Sequence, residues 1–319
     1  MKKILVTGGL GYTGGRIISY LLSLGGYEIF VSTRKKEIDR IGLFLEGEVG
    51  FIDSSLFEDR DYIFPESFDA IIHLAAFNEI DSARDPVSAS EYNIISSLKL
   101  LQLARKHNIR QFIYFSTAHI YGSPLQGMIT ETSLPRPLHP YAITHKAFED
   151  FVLAARDKGE IDGIVLRLSN SFGAPVWPWV NRWSLLVNDL CKQAVTTGVL
   201  RLNSNGLQER DFIPLSDVAA ATAFFLNQTR QSTGNGLYNL SGNYTLTALE
   251  MTKLIKDRCV EILQKELPVL LPPSEGNPPC AFERLKLGNE KLKNLGFTPT
   301  LHVHEEIDNL LIFCKRYFS

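Results

Sequence analysis

The 319-residue chain is short of cysteine, of long apolar runs and of any excess of one charge. Its four cysteines, Cys191, Cys259, Cys280 and Cys314, stand far apart and make no paired metal-ligand spacing. Neither a disulfide framework nor a zinc site is indicated, and a cytoplasmic protein with reduced thiols is expected. The seven histidines are scattered as well; His302 and His304 alternate near the C-terminus without a third ligand, so no metal is expected. No apolar stretch approaches the ~18 residues of a membrane span. Lys2 and Lys3 precede an apolar run, but glycines interrupt it at once and no small-residue cleavage site follows, so no export signal is read there. Lys plus Arg number 33 against 35 Asp plus Glu, a formal charge of -2. That balance offers no footing for nucleic acid or for an anionic membrane. Internal repeats and low-complexity segments are also missing. What remains is an ordinary globular composition, long enough for one large domain or two smaller ones.

The most informative stretch lies at the start. Ile4, Leu5 and Val6 form a short apolar run bounded by glycines, which reads as a buried strand. Gly8, Gly11 and Gly14 follow at three-residue spacing, and Ile17, Ile18, Leu21 and Leu22 continue at helical spacing. In such a strand–turn–helix one glycine permits the tight turn, one lets the backbone approach a pyrophosphate, and one lets the helix pack on the strand. The helix start offers unpaired N–H groups and partial positive charge to the phosphates. Tyr27 to Val31 reads as a second strand and runs into Ser32, Thr33, Arg34, Lys35 and Lys36. An acid there would bond an adenosine ribose 2′-hydroxyl and favour NAD, whereas an Arg accommodates a 2′-phosphate. Ser32 and Arg34 therefore point to NADP, with NAD as the alternative.

Val49 to Asp53, Asp69 to Leu74, Gln111 to Phe115 and Gly163 to Leu168 supply further strands, with helical patterns at 86–107 and 141–156. This alternation implies parallel β-α-β units, hence an α/β, doubly wound sheet with helices on both faces. Leu74, Ala75 and Ala76 close the fourth strand where a cofactor would lie close to the backbone. Ligands sit beyond the carboxyl ends of such strands, so Ser116, Thr117 and Tyr141 face the glycine turn by topology. The second half loses the alternation and is rich in Pro and Trp over 172–183. It reads as a smaller C-terminal, substrate-binding lobe. The expected division is a dinucleotide-binding domain at 1–170, with 211–240 returning to it, and a lobe formed by 171–210 and 241–319.

Taken in order, six segments resemble the motifs of the extended short-chain dehydrogenase/reductases, nucleotide-sugar epimerase/dehydratase group, over nearly the whole chain. They are Thr7-Gly8-Gly9-Leu10-Gly11-Tyr12-Thr13-Gly14, His73-Leu74-Ala75-Ala76, the run Phe115 to Gly122, Pro140-Tyr141, Arg167-x-x-Asn170-x-Phe172-Gly173 and Arg210-Asp211-Phe212-Ile213. The resemblance implies a Rossmann-like fold, an NAD(P) cofactor and hydride transfer at a sugar carbon of a nucleoside-diphosphate sugar. It implies that Tyr12 and Thr13 belong to the dinucleotide turn, that Asp53 contacts the adenine, that Thr117 is the catalytic hydroxyl and that Tyr141 is the catalytic tyrosine. Asn170 and Arg210 would hold the diphosphate, and His119, beside Thr117, is read as a substrate-site residue. A homodimer through the helices at 86–107 and 141–156 is implied as well.

Two departures narrow the reading. The family pattern is Tyr-x-x-x-Lys, but the residue four after Tyr141 is His145, with Lys146 one further on. Residues four apart share a helix face and residues five apart do not, so His145 is the expected third catalytic residue. An imidazole near 6.5 is mostly neutral at pH 7, and weaker, pH-sensitive activation of Tyr141 follows. The Asp-Glu pair that the dehydratases carry after the Ser/Thr is here Ala118-His119. That argues against a 4,6-dehydratase using the usual acid and base. The expected activity is a 4-epimerase or 4-ketoreductase in surface-polysaccharide or deoxysugar biosynthesis. The alternative is a catalytically weak NADP(H)-binding or sensor protein of the same fold.

Overall fold

A computed structural model describes residues 1–34, 49–273 and 283–319. Lys35, Lys36 and Cys280 lie outside the described residues. In chain order the first half runs β1 (Lys2–Thr7), α1 (Tyr12–Leu24), β2 (Tyr27–Thr33), β3 (Val49–Asp53), β4 (Ala70–His73), α2 (Glu79–Arg84) and α3 (Pro86–Ser90). It continues through α4 (Ser97–Lys106), β5 (Gln111–Thr117), β6 (Met128–Ile129), α5 (Pro140–Asp157) and β7 (Asp162–Leu168). The second half carries β8 (Asn170–Phe172), α6 (Leu186–Thr196), β9 (Leu200–Arg201), β10 (Glu209–Pro214), α7 (Leu215–Leu226) and β11 (Leu237–Leu240). Then follow β12 (Thr245–Thr247), α8 (Ala248–Leu263), β13 (Val269–Leu270), β14 (Lys286–Leu287), α9 (Glu290–Leu295) and α10 (Val303–Phe318). Among the described residues no helix is long and apolar enough to cross a membrane.

Seven strands form one sheet in the order β11-β7-β5-β4-β1-β2-β3, and every neighbouring pair is parallel. This is the doubly wound α/β architecture read from the sequence. The order reverses between β1 and β4, and ligands settle in the crevice at such a switch point. The sheet is buried on both faces because side chains alternate along each strand. On β5, Ile113 and Phe115 join the core that holds α1 and α7, while Phe112 and Tyr114 join the core that holds α4 and α5. Consequently Tyr114 and Ser116, two apart on β5, meet His145 and Glu149, four apart on α5.

The helical pattern at 86–107 is built in three pieces. A π-helical turn at Glu91–Ser96 separates α3 from α4. That turn buries Asn93, whose side chain accepts a hydrogen bond from Phe77 N at 2.8 Å and donates to Thr144 Oγ1 at 3.0 Å. Single π turns are often found at functional sites, and here Tyr92 and Ser96 face the same cavity as the glycine turn.

A separate apolar cluster, including Phe172, Leu190, Phe212, Met251, Ile307 and Leu311, holds together the elements beyond the sheet. There β8, β10 and β12 pair into a small sheet beside α6, α8 and α10. Cys191, Cys259 and Cys314 are buried in this cluster as free thiols. Two polar contacts bind it to α1. The Tyr12 hydroxyl lies 2.9 Å from Gly173 O and 3.1 Å from Asn188 Oδ1. Arg16 meets the buried Glu306 with both terminal nitrogens, at 2.6 and 3.1 Å.

Candidate active site

A cavity of about 770 Å³ opens beyond the carboxyl ends of β1, β4 and β5. Its floor is the glycine turn. Gly8 has φ +69, a left-handed conformation that suits glycine, and a Cβ there would stand 2.8 Å from Ala75 N. A Cβ on Gly14 would collide with the Gly8 carbonyl oxygen and stand 2.7 Å from Gly9 Cα. Gly11 is the N-cap of α1 and brings no side chain to its first N–H groups, so these remain available to an anion. Such a cradle fits a dinucleotide pyrophosphate. Leu74, Ala75 and Ala76 form the facing wall.

Farther along, the cavity is bounded by Ser32, Thr33 and Arg34 at the end of β2 and by Ser54, Ser55 and Glu58 after β3. The Arg34 guanidinium lies over the Tyr92 ring, 5.0 Å from its centre. Asp53, by contrast, is not part of the cavity wall. It caps the short 3-10 helix at Ser54–Glu58, accepting from Ser55 N at 2.9 Å and Ser55 Oγ at 2.8 Å. Tyr12 and Thr13 both line the cavity, but the Tyr12 hydroxyl is engaged with Gly173 and Asn188. Its side chain therefore ties α1 to the segment after β8, a role that the glycine motif does not reveal.

At the opposite end Thr117, Tyr141 and His145 all line the cavity. Pro140 at the first helical position and His139 as N-cap, accepting from Tyr141 N at 3.2 Å, start α5 just before Tyr141. One turn later the His145 ring stands edge-on to Tyr141, with centres 4.3 Å apart. His145 is buried, and its Nδ1 lies 2.6 Å from the Tyr114 hydroxyl. Burial pushes its pKa down to about 4, against smaller opposing effects of Glu79 and the Phe115 backbone, so the ring is neutral at pH 7. Lys146 turns to Asp150 and the buried Glu149, away from Tyr141. Glu149 is held by both Arg167 and Ser116.

The pKa of Tyr141 is consequently pushed up. Burial is the main cause and the Glu79 carboxylate adds to it; Arg182 and the Thr117 hydroxyl pull the other way. Glu79 and Arg182 line the cavity and pair at 3.1 Å. Neither residue was indicated by the sequence. Glu79 opens α2 a few residues after the fourth-strand motif, and Arg182 follows the Trp-rich segment; only the fold brings them together. His119 opens onto the same region, its pKa lowered by burial and by Arg210 and His139, with Glu79 opposing. A second buried histidine, His73, bonds Thr7 Oγ1 at 2.6 Å and Ser97 Oγ at 2.9 Å, and all three belong to the cavity wall.

The two expected diphosphate residues are placed differently. Asn170 lines the cavity and donates to Asp211 O at 2.9 Å. Arg210 lies outside the cavity wall, on β10, where β12 pairs with it. Its guanidinium is partly desolvated, and among the described residues it meets Gln208 Oε1 alone, at 3.5 Å. Among the described residues no group of three His, Cys, Asp or Glu is placed to hold a metal ion.

A glycine cradle at the switch point, with a threonine and a tyrosine across the sheet, defines a dinucleotide-dependent enzyme of the doubly wound class. The model of the NAD dependent epimerase/dehydratase family matches residues 4–241, and the chain belongs to that family. A UDP-glucose 4-epimerase of Lactobacillus helveticus is 24% identical over 331 residues, covering 97% of this chain and 94% of its own length. The structure of a Thermotoga maritima UDP-glucose 4-epimerase with UDP-glucose superimposes with a TM-score of 0.80 at 24% identity, over 99% of this chain and 100% of its own. The Pseudomonas aeruginosa protein RMD, complexed with NADPH, gives 0.74 at 20% identity over 99% of each chain.

Proposed function

We propose that the protein is an NADP(H)-dependent 4-ketoreductase acting on a nucleoside-diphosphate sugar. The observation that carries this reading is Tyr141: buried, with neutral His145 at the position of the usual cation and Glu79 nearby, it keeps its proton at neutral pH. Arg182 is the cation near it, and its charge is offset by its pairing with Glu79. A tyrosine that rests protonated is already in the form that ketone reduction consumes. The nicotinamide cofactor, when bound, supplies the hydride. Thr117 would hold the sugar oxygen beside Tyr141, and His119 lines the sugar end. Gly8, Gly11, Gly14 and Thr13 would hold the pyrophosphate, and Ser32 and Arg34 would take a 2′-phosphate.

The relative and the neighbour named for UDP-glucose support a sugar-nucleotide substrate, and Asn170 in the cavity wall, with the partly desolvated Arg210 beyond it, would hold its diphosphate. The NADPH-bound neighbour supports the cofactor assignment, while the family description favours NAD. The division into a dinucleotide-binding part at 1–170 and 211–240 and a substrate lobe is part of this reading. It gains support from the separate apolar cluster and from β11, which rejoins the main sheet. A homodimer is proposed as well, because Val87, Ile95, Ile143 and Phe151 are exposed on the helices at issue.

The test supplies 4-keto and 4-hydroxy nucleotide sugars with NADPH or NADP⁺ and follows both cofactor and sugar. One NADPH oxidised per keto sugar reduced is expected, and Tyr141→Phe should slow this by about 10²–10⁴-fold. Interconversion of 4-hydroxy epimers with no net cofactor change would make it an epimerase. Tight binding with no turnover by either protein would make it a sensor.

A further inference from the structure

A buried hydrogen-bonded pair behind Tyr141 assigns a role to a residue outside every motif of the chain. Tyr114 lies at the centre of β5 and is 2% exposed. Among the described residues its hydroxyl has one hydrogen-bond partner, His145 Nδ1, at 2.6 Å. The other nitrogen of that ring, Nε2, is buried and has no hydrogen-bond partner among the described residues. The Phe115 backbone is close enough to favour a proton on the ring, yet no hydrogen bond closes on Nε2.

These contacts fix the position of the imidazole proton. If Nδ1–H donated to the phenol, the buried Tyr114 proton would have no acceptor and the Nε2 lone pair would have no donor. If instead the phenol donates to Nδ1, the Tyr114 proton has its acceptor, and the imidazole proton resides on Nε2. The first arrangement leaves two buried polar groups open and the second leaves one, and each open group is costly, so the second is preferred. It leaves one open group, an Nε2–H on a residue of the cavity wall.

We infer that Tyr114 is a positioning residue, holding His145 as the neutral Nε2–H tautomer so that it donates a hydrogen bond to a ribose hydroxyl of the bound dinucleotide. Its ring stacks on both His145 and His73 and meets Phe148 edge-on, so the phenol cannot turn away without repacking the core. The assignment rests on the reading of this cavity as a dinucleotide site.

The experiment is ¹⁵N NMR of histidine-labelled protein without ligand, together with NADPH titration, for the parent and Tyr114→Phe. That substitution removes the hydroxyl and keeps the ring packing. In the parent, His145 is expected to carry its proton on Nε2, with Nδ1 showing the shift of a hydrogen-bond acceptor. In Tyr114→Phe the ring should become a mixture of both tautomers, and the dissociation constant for NADPH should rise roughly fivefold, with thermal stability measured alongside. His145→Gln, which keeps an amide donor, should bind NADPH more tightly than His145→Ala. A parent His145 protonated on Nδ1 would overturn the inference, as would a Tyr114→Phe protein with unchanged tautomer and unchanged NADPH affinity. If the tautomer is as stated but no nucleotide sugar is turned over, the ketoreductase reading fails and the role of Tyr114 stands.

Discussion

Replacing His145 with lysine would restore a cation beside Tyr141, and the outcome can be worked through from the geometry. The two rings are 4.3 Å apart on one face of α5. A lysine nitrogen there would stand about 5 Å from the phenolic oxygen, where an effective dielectric near 20 gives ~3 kcal/mol, or about two pKa units. The phenolate fraction below the pKa would rise about 100-fold. A less basic phenolate is also a weaker base, and if that takes back about half of the effect, a net gain of roughly tenfold remains. The overall equilibrium at fixed pH belongs to the reactants, so kcat/KM must change by the same factor in both directions. Two costs oppose the gain: an ammonium must be buried, and the bond to Tyr114 is lost, each worth on the order of 1 kcal/mol or more. The assay is kcat/KM from pH 6 to 10, for oxidation of a 4-hydroxy nucleotide sugar with NADP⁺ and for the reverse reduction. Burial holds the break of the parent above this range, so in His145→Lys kcat/KM should stand about tenfold higher across it, in both directions. Superimposable profiles would refute the claim that the missing cation holds Tyr141 in its protonated form.

Arg34→Ala should weaken NADPH binding about tenfold while leaving NADH within about twofold, as read by fluorescence titration, because only the former carries the 2′-phosphate. Equal losses for both would remove Arg34 from the 2′-phosphate site. Folding stability should fall on acidification from pH 7 to pH 5. The pKa values of His145 and His73 are depressed to about 4 and about 3, so the unfolded chain takes up protons that the folded one refuses. Each histidine costs about 2 kcal/mol by pH 5, Asp211, raised to about 6, returns about 1, and urea denaturation should show a net loss of about 2–3 kcal/mol. Equal or greater stability at pH 5 would contradict the burial of these rings in neutral form.

Much of the scaffold was legible because its signals are local. Short apolar runs alternate with helical spacing, and the glycine trio sits between the first strand and the first helix, so a parallel, doubly wound sheet follows. Thr117 at the carboxyl end of β5 and Tyr141 at the start of α5 both line the cavity, where topology alone led one to look. What was not legible is where side chains go after the backbone is laid down. Asp53 is engaged by Ser55 in capping a 3-10 helix, and the Tyr12 hydroxyl reaches a carbonyl 161 residues away. Arg210 lies on a strand of the smaller sheet, outside the wall of the cavity. No spacing rule reports contacts of that range. Tyr114 was hidden for a different reason: in the middle of an apolar strand, its hydroxyl looks like part of the core until the facing helix is known.

Replacing lysine by histidine changes where the charges around Tyr141 come from. With a lysine on α5, tyrosine and cation would belong to one helix, and their separation would not depend on what else moves. Here the full charges that act on Tyr141 are Glu79 on α2 and Arg182 on the segment between β8 and α6, paired at 3.1 Å. Opposite charges that close largely cancel at a distance, and their residual effect raises the pKa. A substrate diphosphate or sugar oxygen that drew Arg182 from Glu79 would unbalance the pair, leaving the carboxylate's field less compensated at Tyr141. Its proton would be held more firmly with substrate bound than without. Proton affinity at the tyrosine would thereby be coupled to occupancy of the sugar end of the cavity, through two residues 103 positions apart in the chain.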